Sequence, residues 1–447
     1  MEQNMMLELK SILQAQNQGN LNELIGDLQP FDIAAMVSEV DTEEQLTFFF
    51  LVPTSLGAEI LEYLEPELQY KILLRMKEQY KSDLLNEMSS DTIVNLLLSV
   101  HPNQAKKLMD YLPDDYRLKI NTLMNYEPNT AGRLATIDYV GARIHWTVEH
   151  TLAHIRKVGH EAEIVSYIYV VDKNGELVGV VSLKDIILAK EGTVLEDIIQ
   201  GEPISVSVYV HQQEAAAVLS KYDLVAIPVV THNQRMIGIL TVDDLIDVIH
   251  EEATEDFQKL GGSQPLTDPY FKNSIWSIYR KRIGWLLILF VAEAYTGTVL
   301  RHYEDTLSEQ IALAFFVPLL IGTGGNTGSQ TVTTLVRAMA VGEVEFKDIF
   351  KVFRKEVSTG FFLGLTMGTV ALIRAFFLGV DFNVGAVVAI SALFIVIWAS
   401  MVAAVLPMIL NKLKVDPAIV SGPFITTLVD GTGLILYFTV AKILLHL

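Results

Sequence analysis

Five long apolar segments, near residues 283–300, 311–339, 357–378, 385–410 and 418–445, restrict the C-terminal part of this chain to one kind of structure. In a hydrocarbon core every backbone N–H and C=O must find its partner inside the protein, so segments of this length resolve to membrane-spanning helices. The last of them carries Asp430 within 417–438, flanked by Ile425-Thr426-Thr427-Leu428-Val429 and Gly431-Thr432-Gly433-Leu434. Counted from Ala418 at about 1.5 Å per residue, Asp430 lies roughly 18 Å into the span, near the middle of a core about 30 Å thick. An ionised Asp at that depth costs at least ~2.5 kcal/mol, so it is expected to face protein, water or a cation rather than lipid. A protonated or locally paired structural Asp is one reading, and a cation site in a pore is the other.

The distribution of Lys and Arg orients the spans. Arg280, Lys281 and Arg282 precede the first, Lys347, Lys351, Arg354 and Lys355 lie between the second and third, and Lys412 and Lys414 precede the fifth. The other two connections are poor in basic residues. The expected arrangement is a multi-pass protein of the cell (inner) membrane, in contact with lipid, with its N-terminus cytoplasmic and its C-terminus outside. Met1-Glu2-Gln3-Asn4 has neither the basic start nor the apolar core of a signal peptide.

Charge is divided by region. Residues 1–270 hold 42 acidic and 19 basic residues, a net of −23, whereas 271–447 hold 11 acidic and 14 basic. Such an anionic surface argues against nucleic acid and favours cations or basic partners. The absence of Cys excludes disulfides and thiolate metal sites.

Residues 1–129 read as an acidic all-α superhelical domain, with helix starts at Tyr63-Leu64-Glu65-Pro66 and Tyr111-Leu112-Pro113-Asp114. A duplicated α/β module follows over 130–252, its halves about 136–197 and 198–252. Gly179 and Gly238, Ser182 and Thr241, and Asp185 and Asp244 are each 59 residues apart. Each copy combines a β-hairpin with a Ser or Thr that caps a helix bearing Asp three residues later. The module resembles a tandem pair of CBS domains. The resemblance makes Tyr167, Ser182 and Asp185 candidates for holding an adenine nucleotide such as ATP, although an ordinary helix cap has the same sequence. An acidic connecting helix is expected over 253–271, and a five-helix transmembrane domain over 272–447.

The second apolar segment contains Gly322-Thr323-Gly324-Gly325-Asn326-Thr327-Gly328-Ser329-Gln330, where Gly permits close backbone approach and the polar residues need neighbours at membrane depth. Helix packing and a pore lining both account for it. With Pro423-Phe424-Ile425-Thr426-Thr427-Leu428-Val429-Asp430-Gly431, the CBS pair and the acidic N-terminal domain, the whole chain resembles the MgtE family of magnesium channels and transporters. The resemblance implies a homodimer that takes up Mg2+ through one pore, closed by high cytosolic Mg2+ bound between its cytoplasmic domains. By position it places the pore carboxylate at Asp430. It places regulatory carboxylates at Glu59, Asp91 and Asp244, and at Asp223, Glu252, Glu255, Asp256 and Asp416. Asn95 and Gln213 stand where the family can have acids, which implies fewer or weaker regulatory sites. The competing reading is a membrane-anchored CBS nucleotide sensor without transport. No nucleophile–base constellation or phosphate loop suggests an enzyme.

Overall fold

The structure is a computed structural model that describes residues 2–266 and 269–447. It divides into two compact units, Met1–Ile249 and His250–Leu447.

The first unit opens with short helices on a strict period. From Gln18–Ile25 onward, helices start at Pro30, Thr42, Thr54, Pro66, Glu78, Ser90, Pro102 and Asp114, one every 12 residues. Apolar pairs recur on the same period: Phe48-Phe49, Ile60-Leu61, Ile72-Leu73, Leu84-Leu85 and Leu96-Leu97 are all buried. Helices of about ten residues are marginal alone, so each depends on burying this pair against a neighbour. The neighbour is two helices along: Pro30–Glu39 packs on Thr54–Glu62, Thr42–Leu51 on Pro66–Arg75, and Thr54–Glu62 on Glu78–Glu87. The result is a superhelix with two helices per turn.

The duplicated module forms two three-stranded sheets. In one, β1 (Tyr139–Arg143) pairs parallel with β2 (Ile164–Val171), which pairs antiparallel with β3 (Leu177–Ser182). The other repeats the arrangement with β4 (Val206–Ser207), β5 (Ala226–Val230) and β6 (Met236–Thr241). The duplication holds in register, because Val170 faces Gly179 in the first copy and Val229 faces Gly238 in the second. Both hairpins turn through left-handed backbone, at Gly175 (φ 82°) and at Gln234 (φ 55°). The helix after β6 runs Val242–Leu260 without interruption. Glu255 and Asp256, expected on an acidic connecting helix over 253–271, lie on its C-terminal half, and Asp268 lies outside the described residues.

In the second unit five helical segments, Ile275–His302, Ile311–Ala340, Phe346–Phe377, Phe382–Lys412 and Gly422–Leu445, are long and apolar enough to cross a membrane. The third begins well before 357, because Lys and Arg are good helix formers that extend it beyond the apolar stretch. The fifth begins after 418. A 3-10 turn at Pro417–Ile419 precedes it, Ser421 caps it by accepting a hydrogen bond from the Phe424 N–H at 3.3 Å, and Pro423 sits in its first turn. Asp430 is thus eight residues from Gly422, about 12 Å along the helix rather than the 18 Å counted from Ala418.

Close packing explains much of the glycine pattern. Side chains added at Gly360, Gly364 and Gly368 on the third span would lie 2.8, 2.8 and 2.6 Å from Ser400, Leu393 and Ala389 of the fourth. On the second span, a Cβ at Gly324, Gly325 or Gly328 would come within 2.4–2.8 Å of Ile395, Val429, Thr426 or Ile425. Gly322, Asn326 and Gln330, at i, i+4 and i+8, remain exposed on a different face of that helix.

Candidate cation site and its carboxylate clusters

The fifth span brings Asp430 inside the second unit. Its side chain is 7% exposed, and Oδ1 is buried with no hydrogen-bond partner among the described residues. A buried acceptor without a partner costs free energy that a cation or its water shell would recover. About one turn before it, Thr426 and Thr427 donate to the Gly422 and Pro423 carbonyls at 3.0 Å, leaving their hydroxyl lone pairs available. Ser329 of the second span reaches Thr426 Oγ1 at 3.3 Å. The chemistry here is oxygen only, the donor type that hard cations take.

A second feature lies where the fifth span begins. Lys259, at the end of the Val242–Leu260 helix, places its ammonium 2.6 Å from Asp416 Oδ2 and 2.5 Å from Glu255 Oε1. Those two carboxylates hold the lysine up at about 12 against its own desolvation. Asp416 also accepts the Ala418 N–H at 2.8 Å and so shapes the turn before Ser421. Just beyond Lys259, a Cβ on Gly262 would meet Trp285 at 2.8 Å, and the Trp285 indole donates to Ser421 Oγ at 3.2 Å. Asp256 is raised by desolvation first, then by the field of Asp416. Glu255, Asp256 and Asp416 are therefore brought together, with Lys259 between two of them; Glu252 lies one turn earlier and contributes to the field on Asp256.

In the first unit Asp91 and Asp244 meet. Asp244 accepts the Thr241 hydroxyl at 2.6 Å, and each of the two carboxyls is pushed up, by desolvation first and then by neighbouring carboxylates. Glu163 is raised to about 7 by desolvation and then by Asp244, Glu62 and Asp243. Glu62 and Asp138 are raised by desolvation, although Glu62 bonds the Ser89 N–H and Asp138 accepts the Ser90 N–H at 2.9 Å. Lys119 opposes the shift at Asp138. Of these acids, Glu62, Asp138 and Glu163 border an open cleft of about 600 Å3 that Asp115 and Glu161 also line. Glu59 is exposed and adds to the field on Glu62.

The sign of the pH dependence follows. With folded values above the usual carboxylate range, the native state binds more protons than the unfolded state between about pH 4 and 7. Stability is greatest at the acid end of that window and falls as pH rises through it. In the metal-chelated protein, hydrogen exchange corrected for intrinsic rates should show stronger protection of residues 85–95 at pH 5.5 than at pH 7.5. Asp91→Asn should flatten the difference; equal protection at both pH values would contradict the clustering.

The two copies of the duplicated helix cap serve different surroundings. Ser182 donates to Asp185 Oδ2 at 2.6 Å on an exposed helix start, and Tyr167 pairs with Ser182 across β2 and β3. In the second copy Thr241 and Asp244 face the acidic cluster instead. Asp223 stands in left-handed backbone (φ 50°) just after Gln212–Lys221. It belongs to the first unit, whereas Glu252, Glu255 and Asp256 belong to the second. Among the described residues, no three His, Cys, Asp or Glu side chains are gathered closely enough to hold a metal ion.

Sequence reading missed five participants. Glu62, Asp138 and Glu163 surround the Asp91–Asp244 pair, but they come from three separate elements and share no motif. Lys259 pairs with Asp416 across 157 residues. Glu293, within the first span, is close enough for its field to act on Asp430, and its only signal was a carboxylate inside an apolar run.

The chain matches a family described as a divalent cation transporter over 317–440, an MgtE intracellular N domain over 28–129, and CBS domains over 131–192 and 195–251. The magnesium transporter MgtE of Thermus thermophilus is 36% identical over all of both chains. That of Bacillus subtilis is 31% identical over 96% of this chain and 94% of its own. The crystal structure of the cytosolic domain of the Mg2+ channel MgtE in complex with ATP is similar to 54% of this chain and covers 99% of its own, with 33% identity and a TM-score of 0.51. Helical repeats, paired three-stranded sheets and five spans carrying a buried carboxylate thus coincide with full-length likeness, and the chain belongs to the MgtE family of magnesium transporters.

Proposed function

We propose that this protein is a homodimeric Mg2+ channel in which the ion passes Asp430, and that Mg2+ bound by carboxylates on the cytoplasmic side closes it. The observation that carries the reading is the 7% exposed Asp430 with its unpartnered Oδ1 in a membrane span. Mg2+ gives up its water reluctantly, so a carboxylate with nearby hydroxyls suits the hydrated ion. Two copies of Asp430 across a twofold axis supply −2 against +2.

Closure is driven by cancelling repulsion. Asp91, Asp244 and Glu59 form one regulatory set, and Glu252, Glu255, Asp256 and Asp416 another, each costly to assemble without counterions, with Asp223 a further regulatory ligand. The raised carboxyls around Asp91 and Asp244 support this, as does Lys259, which lies where a cation would otherwise bridge Glu255 and Asp416. The N-terminus is cytoplasmic on the distribution of Lys and Arg. ATP is the proposed ligand at Tyr167, Ser182 and Asp185, supported by the ATP-bound cytosolic domain of the relative.

Purified protein in proteoliposomes should carry Mg2+ down its gradient, read by a magnesium-sensitive dye. Millimolar Mg2+ on the cytoplasmic side should suppress that flux. Absence of any flux from folded protein would leave the membrane-anchored nucleotide sensor. Flux indifferent to cytoplasmic Mg2+ would overturn the regulatory part alone.

A further inference from the structure

Glu293 lies within the first span, eleven residues after Arg282 and eight before Arg301. At about 1.5 Å per residue it is roughly 16 Å from one basic end and 12 Å from the other, which is mid-bilayer. Its side chain is exposed on the helix, among Phe290, Val291 and Ala292, and among the described residues it has no salt-bridge partner.

The packing of the first span on the fifth fixes its level. Trp285 bonds Ser421, a Cβ on Gly431 would lie 2.6 Å from the Tyr295 ring and 3.4 Å from Thr296 Oγ1, and the Tyr303 ring stacks on Phe438 at 4.8 Å. The two helices therefore run side by side in the same direction, with a nearly constant offset of about 136 residues. Glu293 falls opposite 428–429, within about 3 Å of the level of Asp430. Its field also reaches Asp430. Asp430 adds an independent sign of a missing ligand, because it is buried and its Oδ1 has no hydrogen-bond donor.

We propose that Glu293 is a second carboxylate of the cation pathway, forming with Asp430 a two-carboxylate site that takes a hydrated divalent cation within a single chain. An exposed carboxylate at mid-bilayer must face water, a partner group or a cation. Here the carboxylate at its level is itself unpaired, and a divalent ion satisfies both. One chain then supplies −2, and the site discriminates against monovalent ions, which cannot neutralise two carboxylates at once. The inference rests on the reading that Asp430 lines the pathway.

In proteoliposomes, Glu293→Gln should raise the half-saturating Mg2+ concentration for flux about tenfold and admit more Na+, whereas Glu293→Asp should stay close to wild type. The natural absence of Cys allows a second measurement that does not depend on the Gln variant folding. Glu293→Cys in the otherwise cysteine-free full-length protein should react with charged, water-soluble methanethiosulfonates, its thiolate forming a mixed disulfide and releasing sulfinate. Mg2+ should slow the reaction. A sulfonate-bearing adduct should recover divalent flux, and a trimethylammonium-bearing one should not. Wild-type half-saturation and selectivity in Glu293→Gln, or a Glu293→Cys that resists reagent while Asp430→Cys reacts, would overturn the inference. If Asp430→Asn also kept wild-type flux, the reading beneath it would fall as well.

Discussion

Asp430→Asn should reduce Mg2+ flux at least ~100-fold in reconstituted vesicles while the protein keeps its elution volume and thermal midpoint. The substitution preserves size and the side-chain acceptor, so packing against the first span, where Gly431 meets Tyr295 and Thr296, is undisturbed. What it removes is the charge. A divalent ion about 5 Å from a carboxylate gains several kcal/mol of Coulomb energy at an effective dielectric of about 20, and each ~1.4 kcal/mol lost is tenfold. A charge buried without a partner also costs stability, so the Asn protein should be no less stable than wild type. Wild-type flux from well-folded Asp430→Asn protein would remove Asp430 from the pathway.

The second large effect is expected at the end of the connecting helix. Glu252→Gln, Glu255→Gln and Asp256→Asn together should shift the cytoplasmic Mg2+ midpoint for closure by at least ~10-fold, read as open probability in patch recordings. These acids share a field with Asp416, and Lys259 already ties Glu255 to Asp416 at 2.5 and 2.6 Å. In the proposed gating these carboxylates repel one another without metal and are bridged with it. Removing them removes both the repulsion and the ligands, while Asp430 still conducts. Moving from mostly open to mostly closed requires roughly 5.5 kcal/mol of differential binding, more than one exposed ion pair provides, so several carboxylates must share it. An unshifted midpoint in the triple variant would make the helix a solvated linker.

How much of this was readable from residues alone depended on whether the signal was local. The duplicated module was legible because Gly179/Gly238, Ser182/Thr241 and Asp185/Asp244 keep one spacing, and the register Val170–Gly179 and Val229–Gly238 follows from it. Asp430 was legible as a carboxylate in an apolar run. Glu293 has the same signature but passed unnoticed, because no Gly- or Thr-rich motif surrounds it. Only the offset between the first and fifth spans reveals that the two carboxylates are level. The set of Glu62, Asp138 and Glu163 around Asp91 and Asp244 is a product of folding, with members brought from five places in the chain. Lys259 was visible as a residue, but its partner lies across the whole membrane unit.

The helical period was written in the sequence and overlooked. The helix starts are chemically diverse (Pro30, Thr42, Thr54, Pro66, Glu78, Ser90), so comparing starts hides the repeat. The buried pairs from Phe48-Phe49 to Leu96-Leu97 disclose it, because the constraint lies on what is buried rather than on what begins the helix.

That period has an evolutionary and mechanical consequence. In a solenoid whose helices pack mainly on near neighbours, stability is a chain of local terms, and the array can lengthen or shorten by whole turns without recasting a central core. A turn here is 24 residues, two helices of 12. Helices an even number of repeats apart stack in one column, so the same surface can be offered again at the next rung. Gaining or losing a turn would slide Glu59 and Glu62 along one column, or Asp91 along the other, like beads on a rod. The distance between acidic rungs is thereby quantised, and lineages could retune the cation response by changing the count of rungs while leaving each rung's interior intact.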